Sequence, residues 1–203
     1  MVNTIEPTAP QKDDRVRGLI LVAAMAAVMW VVEIVDVVAG DLDSAGIRPR
    51  DPEGLVGIAA APFLHGGFGH LFGNTIPFLI LGAVIALSGL ARVAGVTAIV
   101  ALVGGLGVWL VAPASTLHIG ASGIVFGFIT YLITRGIYSR NLLHLVVGVV
   151  VIGIYGTTLL SGVAPTDGIS WQGHLFGGLG GVLAAWLLDS KQRAAAKPAA
   201  PAY

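Results

Sequence analysis

Five polar side chains stand out because they interrupt otherwise apolar sequence: His65, His70, Asn74, Ser122 and His174. A serine, a histidine and an asparagine are the parts of an acyl-transfer site. The hydroxyl attacks a carbonyl, the imidazole takes its proton, and an amide N–H donates to the oxygen that becomes negative. Ser122 is framed as Gly120-Ala121-Ser122-Gly123, and such small neighbours let a substrate carbonyl come close. If Ser122 opens a helix, the unpaired N–H groups there also favour an anion. Other chemistries lack their parts. The chain has no cysteine, which excludes thiolate catalysis, disulfides and Cys-based metal sites. The His-Glu-x-x-His of zinc hydrolases does not occur. An aspartyl protease of membranes would need Gly-x-Gly-Asp and a second mid-span aspartate. Ala39-Gly40-Asp41 lacks the first glycine, and the second aspartate is missing. No metal and no cofactor are expected.

These residues need elements to hold them, and composition says which kind. The chain has 203 residues, of which 11 are Lys or Arg and 11 are Asp or Glu, with zero net charge. That is 11% charged against about 25% in an ordinary soluble domain. Hydrophobic residues make up 56%, and the mean hydropathy is +0.88. A disordered chain and a nucleic-acid binder are both excluded, the first by hydrophobicity and the second by the lack of a basic surface. The expected class is an all-α polytopic membrane protein in direct contact with the lipid bilayer. Fourteen of the charges lie between Glu6 and Glu53, whereas 54–91, 93–134, 141–166 and 168–188 carry none. A spanning helix needs about 20 apolar residues, so the longer blocks divide at turns. Six spans are expected: 18–38, 68–87, 93–111, 122–134, 142–160 and 171–188. Pro113 ends the third, and 135–141 is expected as a polar loop. The membrane domain is placed at 18–190, between polar tails at 1–17 and 191–203. The first outer loop, about 39–67, is long enough to require structure of its own. The first apolar stretch is too long for a cleavable signal peptide.

Topology then brings the chemistry together. Six spans put both termini on one side, and the Lys/Arg asymmetry sets which. With the termini inside, the inner segments hold Lys12, Arg15, Arg17, Arg92, Arg135, Arg140, Lys191, Arg193 and Lys197, and the outer ones only Arg48 and Arg50. Both termini are therefore expected to be cytoplasmic. Spans two, four and six all enter from outside. Asn74 lies about two turns into the second, Ser122 begins the fourth and His174 is fourth in the sixth, so all three share one depth in the outer half. Gly177 and Gly181 follow His174 at i+3 and i+7, a small-residue face that lets two membrane helices approach closely. That face is expected to bring His174 to Ser122.

Gly-Ala-Ser-Gly at 120–123, His-x-x-Gly-x-x-x-Gly from His174 and His-x-x-x-Asn from His70 together resemble the rhomboid intramembrane serine proteases. The resemblance runs over about 48–188, in the minimal six-span form of bacterial plasma membranes. It implies a Ser122–His174 dyad without an acid, with the active site facing the outer side. It also implies an oxyanion hole from Asn74, His70 and the Ser122 N–H. It identifies Phe126 with the aromatic that packs on the imidazole, and His65 fits the family pattern too. The implied activity is endoproteolysis of other proteins' transmembrane segments through an acyl-enzyme. Those segments and the bilayer are the implied partners, with no nucleic acid and no metal. One departure is the absence of the Trp-Arg pair often found in the first outer loop of the family.

Plainer roles compete at each position. Serine in a membrane helix usually packs or bonds back to its own helix, and Asn74 and His70 could be interhelical glue. His118, four residues before Ser122, is the rival base, but it sits on the same segment as the serine and reads as a residue of the cavity mouth. His65 reads as a clasp for the outer loop, and His144 as interfacial. For Glu33 and Asp36 a proton or ion pathway competes with capping or contact with the polar first loop, which are favoured, and Gly104, Gly105 and Gly107 read as close packing. A rhomboid-like chaperone or scaffold would have lost the dyad, and both of its members are present. A transporter would need coupled charges near mid-membrane, and spans two to six offer none.

Overall fold

A computed structural model of the chain describes residues 11–166 and 168–195, with side chains through Ser190. Asp167 and 196–203, which include Lys197 of the cytoplasmic charge tally, lie outside the described residues. Among the described residues, the fold is helical, with seven α-helices and an isolated β-bridge between Ile47 and His118. The helices are α1 (Lys12–Ala39), α2 (Gly57–Ala60), α3 (Phe68–Ala86), α4 (Leu90–Val111), α5 (Ser122–Ser139), α6 (Leu142–Gly162) and α7 (Trp171–Ala195).

Helix ends follow local chemistry. α1 starts at Lys12, six residues before the expected 18, because Asp13 and Asp14 complement the positive end of a helix that runs on past the apolar segment. α4 stops where Pro113 requires it, with Ala112 extended at ψ 155°. Asn141 caps α6 by accepting the His144 N–H at 3.2 Å.

The expected polar loop at 135–141 is corrected. α5 continues to Ser139 and reverses at Arg140, which has a left-handed φ of 54°. Arg135 is therefore helical and buried. It meets Asp189 at 3.2 Å, and Arg92 meets the same carboxylate at 3.2 Å. A buried charge persists when paired, so α4, α5 and α7 are tied at the end remote from Ser122.

Among the described residues, four helices are long and apolar enough to cross a membrane: α1, α3, α4 and α6. α5 and α7 fall short by composition. They form the most extensive helix pair, with α4 packed on α7 and α6 on α5; α5 is largely buried, whereas α7 exposes Leu175, Leu179 and Trp186. A helix surrounded by protein needs less apolar surface than one facing lipid. α6 shows the opposite case, exposing Leu142, Leu143, Val149, Ile154 and Leu160.

The first loop has the structure expected of it, with 3-10 turns at Leu42–Ala45, Pro52–Leu55 and Ala61–Phe63 around α2. Arg48 holds Asp51 at 2.8 Å and Glu53 at 3.2 Å. The loop docks on the end of α4, where Trp109 Nε1 donates to the Asp51 carbonyl at 2.8 Å and Arg50 Nη1 to the Leu110 carbonyl at 3.2 Å. Asp36 accepts the Leu42 N–H at 2.6 Å, and Glu33 is buried against the Gly67 backbone N–H, so both acids do serve the loop.

Candidate active site

The site begins at the junction of loop and α5. Gly120 has φ 108°, a left-handed conformation that favours glycine, and a Cβ there would stand 2.7 Å from the His70 ring. Its N–H donates to the Ala61 carbonyl at 2.8 Å, and the Ala121 N–H donates to His65 Nε2 at 3.4 Å. The first loop thus fixes the two residues before Ser122. The first intrahelical bond of α5 runs from the Val125 N–H to the Ala121 carbonyl at 3.0 Å. Ser122 is the first helical residue, so its own N–H precedes that ladder and is available to an anion.

α7 is pressed onto α5. A Cβ on Gly177 would collide with the Gly123 carbonyl oxygen, and one on Gly181 with the Gly127 carbonyl oxygen. Gly104 of α4 adds a third close approach, since its Cβ would lie 3.4 Å from the Gly177 Cα. The glycine face expected from the sequence therefore meets the helix that it was expected to meet.

His174 is buried, and its ring is held on one face and at one edge. The Phe126 ring stacks on it with centroids 4.0 Å apart and planes 4° from parallel. Nδ1 lies 2.7 Å from the Gly162 carbonyl. A carbonyl only accepts, so Nδ1 carries the proton and Nε2 is the basic nitrogen. Gly162 is the last residue of α6, and the carbonyl end of a helix stabilises a cation. The imidazolium formed on proton uptake is thus served without a carboxylate.

One cavity of about 700 Å³ is lined by His70, Asn74, Ser122 and His174. A smaller one, about 50 Å³, also reaches Ser122 and is walled by Val100, Gly104 and Val108 of α4. Asn74 is buried, and its Nδ2 has no hydrogen-bond partner among the described residues. It lies 3.6 Å from the point where a Gly120 Cβ would sit, so an unused donor is aimed at the turn that carries Ser122.

A family-level sequence model described as the Rhomboid domain matches residues 52–191. The chain belongs to the rhomboid family. The rhomboid match takes in every candidate site residue from His65 to Gly181. Similar proteins include uncharacterized protein Rv1337 of Mycobacterium tuberculosis, 42% identical over 86% of this chain and 76% of its own length. Uncharacterized protein ML1171 of Mycobacterium leprae is 40% identical over 87% of this chain and 73% of its own. A Bacillus subtilis protein that bears the name "Putative rhomboid protease YdcA" is 29% identical over 64% of this chain and 65% of its own. Rhomboid membership and the apolar helices make this a membrane protein.

Some residues of the site carry no signal in the sequence. Gly162 serves through its backbone carbonyl, and any residue type has one. Ser170 binds His118, with Nδ1 2.7 Å from its Oγ, at a position that reads only as the end of a polar loop. His118 itself is buried with both ring nitrogens engaged, the second by Thr116 Oγ1 at 2.8 Å. His144 is bonded to Ser139 at 2.9 Å, away from this cluster.

Proposed function

We propose that this rhomboid is a serine endopeptidase that cuts transmembrane segments of other membrane proteins by a Ser122–His174 dyad. The observation that carries the reading is the cavity shared by Ser122, His174, Asn74 and His70, beside an imidazole whose tautomer leaves Nε2 as base. His174 takes the Ser122 proton as the hydroxyl attacks a peptide carbonyl. The Ser122 N–H and Asn74 Nδ2 donate to the oxyanion, with His70 beside them. His174 then protonates the leaving amine, and water admitted through the cavity hydrolyses the acyl-enzyme with the same base.

In this reading α1, α3, α4, α5, α6 and α7 are six spans, both termini are cytoplasmic, and the cavity opens to the outer side of a bacterial plasma membrane. The Lys/Arg asymmetry supports the orientation. The packing of α7 on the more apolar α4, and of α5 on the more apolar α6, supports counting both as spans. A helical substrate hides its scissile bond, so cleavage is expected at small residues with weak helix propensity.

The test is cleavage of a panel of transmembrane segments by the full chain in proteoliposomes, with Ser122→Ala and His174→Ala in parallel. Cleavage by wild type alone is expected. Segment binding with no cleavage by any of the three would instead identify a membrane chaperone or scaffold.

A further inference from the structure

His118 stands four residues before Ser122, and Ser170 stands four residues before His174. Their side chains join, with Nδ1 2.7 Å from Oγ. The proton positions in this link follow from its ends. Thr116 Oγ1 donates to the Pro113 carbonyl at 2.6 Å, so towards His118 it can only accept, and Nε2 carries the imidazole proton. Nδ1 of the neutral ring is then an acceptor, and Ser170 donates to it. The Ser170 oxygen accepts the Gly173 N–H at 3.2 Å, and its carbonyl accepts the His174 N–H at 3.1 Å. A directed chain runs from the first turn of α7 through Ser170, His118 and Thr116 to the loop before α5.

Both ends of the chain are fixed elsewhere. The His118 backbone pairs with Ile47 in both directions, at 2.9 and 3.1 Å, which anchors it to the first loop. A Cβ on Gly46 would stand 2.8 Å from the His118 carbonyl oxygen, so the two segments lie in direct contact. At the other end a Cβ on Gly173 would stand 2.9 Å from Ser170 Oγ, so this glycine makes room for the serine hydroxyl. Burial lowers the pKa of His118, which keeps the ring neutral and the chain directed.

We infer that His118 is a positioning residue that, through Ser170, sets the first turn of α7 against the Ser122 loop and so fixes the reach of His174 to Ser122. This rests on the Ser122–His174 reading. In that role His118 exchanges no proton with substrate.

The test measures the rate of labelling by a fluorophosphonate probe across pH, using the full chain in detergent. The variants are His118→Ala, Ser170→Ala, the double variant and His118→Asn, whose amide oxygen can stand in for Nδ1. Each single alanine variant is expected to slow labelling about 10- to 100-fold, the scale of a small misplacement of reacting groups. The double variant should be no slower than the slower single one, His118→Asn should recover most of the rate, and the pH midpoint should not move. Wild-type rates in His118→Ala, or losses that multiply in the double variant, would overturn the inference while leaving the dyad intact. Abolition by His118→Ala with Ser170→Ala unaffected would make His118 the base and overturn both readings. Labelling that survives Ser122→Ala would overturn the proposed function itself.

Discussion

The imidazole of His174 lies flat against Phe126, 4.0 Å between centroids, with Gly162 closing the space at the ring edge. A Cβ on Gly162 would collide with the Phe126 ring and stand 3.1 Å from His174 Nδ1. Phe126→Ala removes the surface that holds the base. Probe labelling is expected to fall about 100-fold, whereas Phe126→Tyr should keep most of the rate. Equal rates for Phe126→Ala and wild type would show that the stacking positions nothing.

Asn74 lends itself to a second test. An oxyanion donor acts in the transition state, so Asn74→Ala should lower kcat about 10²- to 10³-fold with little change in KM. Steady-state cleavage in proteoliposomes separates the two constants. A rise in KM at constant kcat would instead give Asn74 a role in substrate binding.

Much of the site was legible because chemistry, spacing and depth agreed. Ser122, His174 and Asn74, which the sequence pattern groups together, line one cavity, and Gly177 and Gly181 lie at the contact of α7 with α5. Arg92, Arg135 and Asp189 meet inside α4, α5 and α7, a cluster that the polar loop expected at 135–141 hides. A charge marks water only when it is unpaired, and the buried Asp189 carboxylate holds two guanidinium groups within the bundle. Contacts through backbone atoms were not legible, since the Gly162 carbonyl and the Ala121 N–H carry no residue signature. α5 and α7 show a further limit. Their polar residues, among them Arg135, His174 and Asp189, lower the mean hydropathy of two helices that pack closely on each other.

Helix approach provides a third test. Gly177→Val would overlap the Gly123 carbonyl, and overpacking of this kind costs about 1–3 kcal/mol. Gly178→Ala is the control, since its Cβ meets Thr130 Cγ2 at an ordinary 3.4 Å. Gly177→Val is expected to lose activity and to unfold at lower temperature in detergent, while Gly178→Ala keeps both. Full activity in Gly177→Val would mean that α5 and α7 do not approach as described.

His65 gives the site a pH dependence. Burial lowers its pKa to about 4, and its neutral Nε2 accepts the Ala121 N–H. The unfolded chain protonates this histidine near its ordinary 6.5 and the folded chain near 4. In that window the unfolded state binds the extra proton, so stability falls as pH drops from about 6.5 to about 4. His65→Asn keeps an acceptor but does not titrate, and its thermal stability should vary less across the window. An unchanged pH profile in that variant would assign the acid sensitivity to another group.

The central claim is that Ser122 is a nucleophile activated by His174. Its most direct test is fluorophosphonate labelling of the purified protein, followed by peptide mapping of the adduct by mass spectrometry. One phosphonyl group on Ser122 is expected, absent from Ser122→Ala and nearly absent from His174→Ala. An adduct on another residue, or equal labelling of wild type and Ser122→Ala, would contradict the account.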